Sequence, residues 1–194
     1  MVLTPSTMMS LGTKTRDFEL LDVATGKKVF LHSFKKRRGL LIMFICRHCP
    51  YVKHLEKELA QFGKDYAGSD VGIVAVSSND AEKYPDDAPA KLKEMAQNLS
   101  FTFPFLYDES QAAAKSYQAA CTPDFFLLDS DLKLVYRGQF DDSRPGNSLP
   151  VTGKSLRAAV DDLIAGRSIS NVQKPSLGCN VKWKPGKEPD YFGK

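Results

Sequence analysis

The strongest constraint on the fold of this chain is an unbroken apolar run from Leu40 to Phe44. A run without alternating polar residues is typical of a strand buried on both faces, as in sheets covered by helices. Pro50 follows shortly and fits the first position of a helix. Apolar residues then recur at helical spacing, namely at Val52, Leu55, Leu59 and Phe62. The sequence therefore predicts a buried strand that leads into a helix.

The rest of the chain alternates between strands and helices. In chain order the predicted elements are a hairpin within 17–31, the strand 40–44, the helix that opens at Pro50, a strand at 71–76, a helix through Leu92 and Leu99, a helix at 111–119, a hairpin of 125–128 with 132–137, and a helix that ends at Gly166. This order is typical of a layered α/β fold. A chain of 194 residues has room for one domain with a sizeable core, which we place at 1–165.

Residues 166–194 differ in composition from this domain. Proline and lysine recur there, which indicates an irregular C-terminal extension. The extension holds six Lys+Arg against two Asp+Glu, so it carries the whole net charge of +4. Its aromatic residues, above all Trp183, predict that it packs on the domain. Because the domain itself is electrically balanced, we expect no nucleic-acid partner.

Two features bear on the cellular compartment. The segment 1–12 lacks the basic start and continuous apolar centre of a secretory signal. The longest apolar run, 40–45, is far shorter than the roughly 20 residues that cross a bilayer as a helix. We therefore expect a cytoplasmic protein with no membrane association.

The cysteine pattern indicates redox or metal chemistry. Two of the four cysteines stand as Cys46-Arg47-His48-Cys49, at the junction of the predicted strand and helix. Unpaired backbone N–H groups and the positive end of a helix stabilise a thiolate, the nucleophilic form. Arg47 and His48 add positive charge that would tune this thiolate. We expect Cys46 to be the more exposed nucleophile, with a lowered pKa, and Cys49 to resolve the mixed disulfide.

A metal site is the main alternative for these residues. Further ligands are available for a four-ligand zinc or iron–sulfur site at Cys121, Cys179, His48 and His54. Structural zinc sites usually combine two close pairs of ligands, and this chain has one. We therefore expect no metal and no cofactor. A pair of inert buried thiols is the remaining alternative.

The order of elements around the cysteines resembles the thioredoxin fold. Cys46-x-x-Cys49 stands between a strand and a helix, and Thr122-Pro123 precedes the strand at 125–128. The resemblance implies an α/β fold with a central mixed β-sheet flanked by helices and an N-terminal β-hairpin. It also implies that Pro123 is cis and faces the cysteines. Thr122 and Pro123 would then hold the substrate, with an extended peptide added to the neighbouring strand edge.

Four motifs narrow the resemblance further. They are CRHCPYV at 46–52, CTPDFFL at 121–127, YRG at 136–138 and GCNVKW at 178–183. The set resembles the peroxiredoxin-like branch of the AhpC/TSA superfamily. This implies a thiol-disulfide oxidoreductase that acts on a protein or small-molecule disulfide and is restored by an unidentified thiol reductant. A thiol-dependent peroxidase is the alternative, and a metal-binding or redox-sensing module is the third possibility.

The chain departs from both patterns near the cysteines. If Cys49 is aligned with a peroxidatic cysteine, Cys46 and Ile42 replace the threonine and proline that are usual in peroxiredoxins. The hydroxyl that helps to orient peroxide is then missing, which favours disulfide exchange. Ile45 replaces the tryptophan of thioredoxin, and the run 40–44 lacks its buried aspartate. The sequence therefore identifies no group that takes the proton from Cys49.

The two remaining cysteines are candidate auxiliary redox thiols. Cys121 lies close to Pro123 in the sequence, so the resemblance implies that it is near the site. Cys179 lies in the extension and can act as a second resolving thiol if it comes within disulfide reach of Cys46 or Cys121. For both cysteines, burial as an unreactive thiol is the alternative.

Overall fold

The structure is a computed structural model that describes residues 3–193. The strands within this range are β1 (Leu3–Pro5), β2 (Glu19–Asp22), β3 (Lys28–Phe30), β4 (Gly39–Phe44), β5 (Val71–Ser77), β6 (Phe105–Tyr107), β7 (Cys121–Thr122), β8 (Asp124–Asp129), β9 (Leu134–Gly138) and β10 (Leu177–Asn180). The α-helices are α1 (Pro50–Asp65), α2 (Pro89–Asn98), α3 (Ala112–Ser116) and α4 (Lys154–Ile164). Short 3-10 helices lie at Leu31–Phe34 and Pro85–Asp87.

Seven strands form a central sheet in the order β3-β2-β6-β5-β4-β8-β9. β4 lies in its middle, where Ile42 is opposite Val74 of the parallel strand β5 and Phe126 of the antiparallel strand β8. All of β4 is buried, because helices cover both faces of a sheet of this kind. The antiparallel pairing of β2 with β3 is the predicted N-terminal hairpin. The predicted mixed sheet with flanking helices is confirmed.

Side chains of the central strands fill two cores, one on each face of the sheet. Leu41 and Met43 point into the core that also contains the apolar residues of α1, α2 and α4. Ile42 and Phe44 point into the other core, which is closed by α3 and by Trp183 of the extension. The strand period of two separates these residues onto opposite faces. The site lies at the C-terminal end of β4, where the chain continues into α1.

The predicted helix at 111–119 is shorter in the structure, where α3 spans Ala112–Ser116. Gln111 and Gln118 both have positive φ, 62° and 51°, so neither can continue a right-handed helix. The Gln111 amide donates to the carbonyl oxygens of Ser78 and Lys182. These tertiary contacts fix a conformation that the helical propensity of the alanines does not predict.

The extension contains a strand, although the sequence indicated an irregular segment. β10 lies between β1 and β7 in a three-stranded antiparallel sheet. Trp183 is buried, and its ring packs edge-on against Tyr191 with 6.2 Å between centroids. A short strand that contains glycine and asparagine has little strand propensity of its own, so its partners stabilise it.

The helices of residues 3–193 are too short or too polar to span a lipid bilayer.

Candidate active site

The two cysteines of the motif lie at the end of β4 and the start of α1. Cys49 caps the N-terminus of α1 with an extended backbone, and Pro50 takes the first helical position, where its missing N–H has no effect. Cys46 and Cys49 are 1% and 0% exposed. Both thiols are therefore buried, and the difference in exposure that the sequence predicted is absent. Thr122 and the extension cover the junction from above.

Thr122 contacts both cysteines. Its Oγ1 lies 3.3 Å from Cys46 Sγ, and its carbonyl oxygen lies 3.1 Å from Cys49 Sγ. The peptide bond between Thr122 and Pro123 is cis, which confirms the conformation that the resemblance implied. The fold thus brings the two motifs together from distant parts of the chain.

The surroundings of the two cysteines shift their pKa values in opposite directions. The hydrogen bond with Cys46 is the largest influence, and it lowers the pKa of Cys49 to about 5 against the effect of burial. Cys179 and the backbone at Val52, in the first turn of α1, act in the same direction. Burial, the hydrogen bond with Cys49 and the charge of Asp87 raise the pKa of Cys46 well above its ordinary value. The raised pKa of Cys46 is the opposite of the low pKa that the sequence predicted for it.

Arg47 and His48, predicted to tune the thiolate with positive charge, are both engaged by carboxylates. The Arg47 guanidinium pairs with Asp86 and Glu94 at 3.3 and 3.9 Å. His48 Nδ1 lies 2.5 Å from Asp87 Oδ2. Neither side chain therefore lowers the pKa of Cys46, whereas the negative charge of Asp87 is among the causes that raise it.

Asp87 anchors the loop between the two cysteines. Its Oδ1 accepts the backbone N–H groups of Arg47 and His48 at 2.8 and 3.2 Å. Its Oδ2 accepts the Asn79 amide at 2.7 Å and faces His48 Nδ1. Burial alone would raise the pKa of Asp87, but the hydrogen bonds from His48 and Asn79 hold it below its ordinary value. The carboxylate is therefore ionised and fixes the loop.

A group of potential metal ligands lies at the same place, with ligand atoms within 4.8 Å of one another: Cys46, His48 and Asp87. Each oxygen of Asp87 already has two hydrogen-bonding contacts, so a metal ion would have to displace some of them. The ligand set considered from the sequence does not assemble in the described residues. His54 instead lies 2.8 Å from the hydroxyl of Ser143.

The extension covers the strand edge beside Pro123. β10 pairs antiparallel with β7, which places Cys179 opposite Thr122. The approach is close at Gly178, where a Cβ atom would lie 2.0 Å from the Thr122 carbonyl oxygen, so only glycine fits. The edge that we predicted to bind an extended peptide is therefore occupied by the chain itself.

Cys179 is the thiol that β10 brings to the site. Its Sγ lies 2.9 Å from the Sγ of Cys49, and the residue is 2% exposed. The sequence suggested Cys46 or Cys121 as its partner, and the structure brings it to Cys49 instead. Burial, with the hydrogen bond and charge of Cys49, raises the pKa of Cys179 to about 12.

A buried carboxyl group lies behind the Thr122-Pro123 pair. Asp124 is fully buried and accepts a hydrogen bond from the Ser6 hydroxyl at 2.6 Å, while its Oδ2 has no hydrogen-bond partner within residues 3–193. Burial raises the pKa of Asp124 to about 7. Burial and the charge of Asp124 raise the pKa of Cys121. Cys121 thus lies near the site, in surroundings that favour the uncharged thiol.

Sequence reasoning missed the acidic groups of the site. Asp87 and Asn79 reach the cysteine loop from a separate segment, and no spacing in the sequence links them to Cys46. Asp124 did carry a signal, because an acid that opens an apolar strand is unusual in a buried position.

Comparison with known proteins agrees with this geometry. The AhpC/TSA family matches residues 11–137, a range that includes Cys46-x-x-Cys49 and Thr122-Pro123. No curated protein matches the sequence. An uncharacterized conserved protein from Geobacillus kaustophilus has a crystal structure with 52% sequence identity and a TM-score of 0.93, over 95% of this chain and 98% of that chain.

Two more distant structures show the fold class. A putative protein disulfide isomerase from Bacteroides thetaiotaomicron has 18% identity and a TM-score of 0.61, over 85% of this chain and 95% of that one. A peroxidoxin from Mycobacterium tuberculosis has 20% identity and a TM-score of 0.56, over 81% and 95%. These likenesses confirm the thioredoxin-like fold. Because the family match covers more than half of the sequence, the chain belongs to the AhpC/TSA family.

Proposed function

We propose that this protein is a thiol-disulfide oxidoreductase whose redox pair is Cys46 and Cys49. The observation that supports the proposal is the position of both thiols at the start of α1, in contact with Thr122 of the cis Thr122-Pro123 pair. Hydrogen bonding with Cys46 lowers the pKa of Cys49 to about 5, which favours one thiolate and one thiol in the reduced pair. Dithiol exchange needs one thiolate that attacks and one thiol that resolves.

In the proposed cycle, the Cys49 thiolate attacks one sulfur of a substrate disulfide. The substrate S–S bond breaks, and one half leaves as a thiolate that takes a proton from solvent. Cys46 then loses its proton and attacks Cys49 Sγ, which expels the second half and forms the Cys46–Cys49 disulfide. The substrate has gained two electrons, and an external thiol reductant restores the dithiol. These roles reverse the ones that the sequence predicted.

His48 is the group placed to take the proton from Cys46. One of its ring nitrogens lies within 4.8 Å of Cys46 Sγ. Asp87 Oδ2 accepts the proton of Nδ1 at 2.5 Å, which leaves Nε2 as the acceptor. The His48 side chain is 18% exposed, so the proton can pass to solvent. His48, oriented by Asp87, thus supplies a proton acceptor that the sequence did not identify.

The occupied strand edge favours a low-molecular-weight disulfide as substrate. An extended peptide would have to displace β10 before it paired beside Pro123. Arg47 and His48 are the partly exposed residues of the motif, with side chains 34% and 18% exposed. A small disulfide therefore approaches from their side. In this proposal Thr122 positions both cysteines through its contacts with them.

A thiol-dependent peroxidase is the second candidate, and the low pKa of Cys49 favours it. A hydroperoxide is small enough to need no strand edge. The Cys49 thiolate would attack the O–O bond, the distal oxygen would leave with a proton, and a sulfenic acid would form. Condensation with the Cys46 thiol would then release water and give the same disulfide. Consumption of hydrogen peroxide in the presence of a thiol donor measures this activity.

Release of glutathione from glutathione disulfide tests the leading proposal. The experiment uses a Cys179→Ser background, so that Cys46 is the resolving thiol under test. The reduced parent should release two glutathione molecules per chain. Adding Cys49→Ser should abolish release, whereas adding Cys46→Ser should release one molecule and retain the other on Cys49, as intact mass would show.

The matched control is Cys121→Ser, which changes a buried thiol beside the site and should release as much glutathione as the parent. No release by the parent would overturn the proposal. A glutathione trapped on Cys46 in the variant without Cys49 would contradict the assigned roles.

A further inference from the structure

Cys179 is held against Cys49 by the fold. The two Sγ atoms are 2.9 Å apart, and both residues are buried. β10 is paired on both sides, with β1 and with β7. The preceding residue, Gly178, lies so close to the Thr122 carbonyl that even a methyl group would not fit. The pairing of β10 with its neighbouring strands therefore holds the two sulfur atoms in contact.

β10 also takes the place that a substrate strand would occupy. A peptide added beside Pro123 would run antiparallel to β7 and present its side chains to the cysteines. The chain presents its own Cys179 there, opposite Thr122 and in contact with Cys49. Cys179 thus occupies the position in which a substrate cysteine would contact Cys49.

We propose that Cys179 is a third redox-active cysteine, which forms an alternative disulfide with Cys49. The inference rests on the proposed function, because it starts from the Cys46–Cys49 disulfide. Cys179 loses its proton to solvent and attacks Cys49 Sγ. The Cys49–Cys179 bond forms, the Cys46–Cys49 bond breaks, and Cys46 leaves as a thiolate that takes up a proton. No electrons are gained or lost, so the oxidised protein has two isomers.

The surroundings of Cys179 determine when it reacts. Burial, the hydrogen bond with Cys49 and the charge of Cys49 raise the pKa of Cys179, and the charge of Lys182 lowers it. These causes favour the protonated thiol of Cys179 in the reduced protein. Once Cys49 is bound in a disulfide, it carries no negative charge. The positive charge of Lys182 remains. Cys179 thus ionises more readily in the oxidised protein, where the exchange takes place.

The second isomer has a distinct structure at the site. Cys46 becomes a thiol beside His48, and the extension is covalently fixed over the cysteines. The edge beside Pro123 is then closed to peptides, which restricts the oxidised protein to small thiol reductants.

Peptide mapping can identify each disulfide separately. Trypsin places every cysteine on its own peptide: 39–47 carries Cys46, 48–53 carries Cys49, 116–133 carries Cys121, and 168–182 carries Cys179. The last peptide stays intact at Lys174 because Pro175 follows it. Diamide is the oxidant, since it takes two electrons and two protons from a pair of thiols and needs no substrate exchange.

The test applies diamide to reduced Cys46→Ser protein, with Cys46→Ala as a second variant in case serine perturbs the fold. We expect peptide 48–53 to become linked to 168–182, with the loss of two hydrogens from the intact mass. The control Cys46→Ser/Cys179→Ser should form no such link. In wild type, both this link and the link of 39–47 to 48–53 should appear.

Two results would overturn the inference. One is a Cys46→Ser protein in which 168–182 remains fully alkylatable after diamide. The other is a link of 48–53 to 116–133 in place of 168–182. Failure of the proposed function is distinguishable, because the wild type would then lack the link of 39–47 to 48–53.

Discussion

Replacement of Asp124 by asparagine should stabilise the protein, and the gain should grow with pH. Asp124 is fully buried, and its Oδ2 has no hydrogen-bond partner in the described part of the chain. Burial raises the pKa of Asp124 from its ordinary value of 3.8 to about 7. A difference of about three pH units corresponds to about 4 kcal/mol, at about 1.4 kcal/mol for each unit.

The sign follows from the protons that each state binds. Below about pH 4 the carboxyl group is protonated in both the folded and the unfolded chain. Between about pH 4 and pH 7 the unfolded chain releases this proton while the folded chain keeps it, so the free energy of unfolding falls by about 1.4 kcal/mol per pH unit. Above that range the penalty is constant. Asparagine has no such proton, and its amide oxygen can still accept the hydrogen bond from Ser6.

Urea denaturation of wild type and Asp124→Asn, at pH 5 and at pH 8, measures this effect. The stabilisation at pH 8 should exceed that at pH 5 by about 2 to 3 kcal/mol, because part of the penalty is already present at pH 5. Asp131→Asn, at an exposed carboxylate, controls for the loss of one negative charge. Equal effects of Asp124→Asn at both pH values would refute the reasoning.

Three further substitutions probe the site and the extension. Gly178→Ala should destabilise the protein by about 1 to 3 kcal/mol through overpacking and should lower the yield of the Cys49–Cys179 disulfide. Gly68→Ala is the control, because a methyl group there meets open space, and it should change little in denaturation or peptide mapping. His48→Gln should slow the second release of glutathione by about 100-fold in rapid-mixing experiments and leave the first unchanged, because only resolution needs proton transfer to His48. Trp183→Ala should lower the free energy of unfolding by about 3 to 5 kcal/mol in urea titrations, because the buried ring closes one of the two cores.

The central strand and the first helix could be predicted because their burial pattern is local. The run 40–44 is apolar throughout, and this composition alone indicates cover on both faces. β10 could not be predicted in this way, since Gly178 and Asn180 are weak strand formers and the pairing with β7 is long-range. The predicted start of α3 was wrong for the same reason. Gln111 precedes the helix and is held by contacts with distant carbonyl oxygens.

The candidate site could be predicted as far as its motifs extend. Cys46, Cys49 and the cis Thr122-Pro123 pair follow from short segments and a family resemblance. The opposite pKa shifts of the two cysteines do not, because they depend on burial, on Cys179 and on Asp87. A single sequence does not show which distant residues surround each of two buried thiols.

Titration of the ultraviolet thiolate absorbance of the reduced protein is the most direct test of the lowered pKa of Cys49. We expect a thiolate that titrates with a midpoint near about 5, is absent in Cys49→Ser, and has a raised midpoint in Cys46→Ala, where the hydrogen-bond donor is lost. A midpoint near the unperturbed thiol value of about 8.5 would contradict the account. So would a low-pH thiolate that persists in Cys49→Ser.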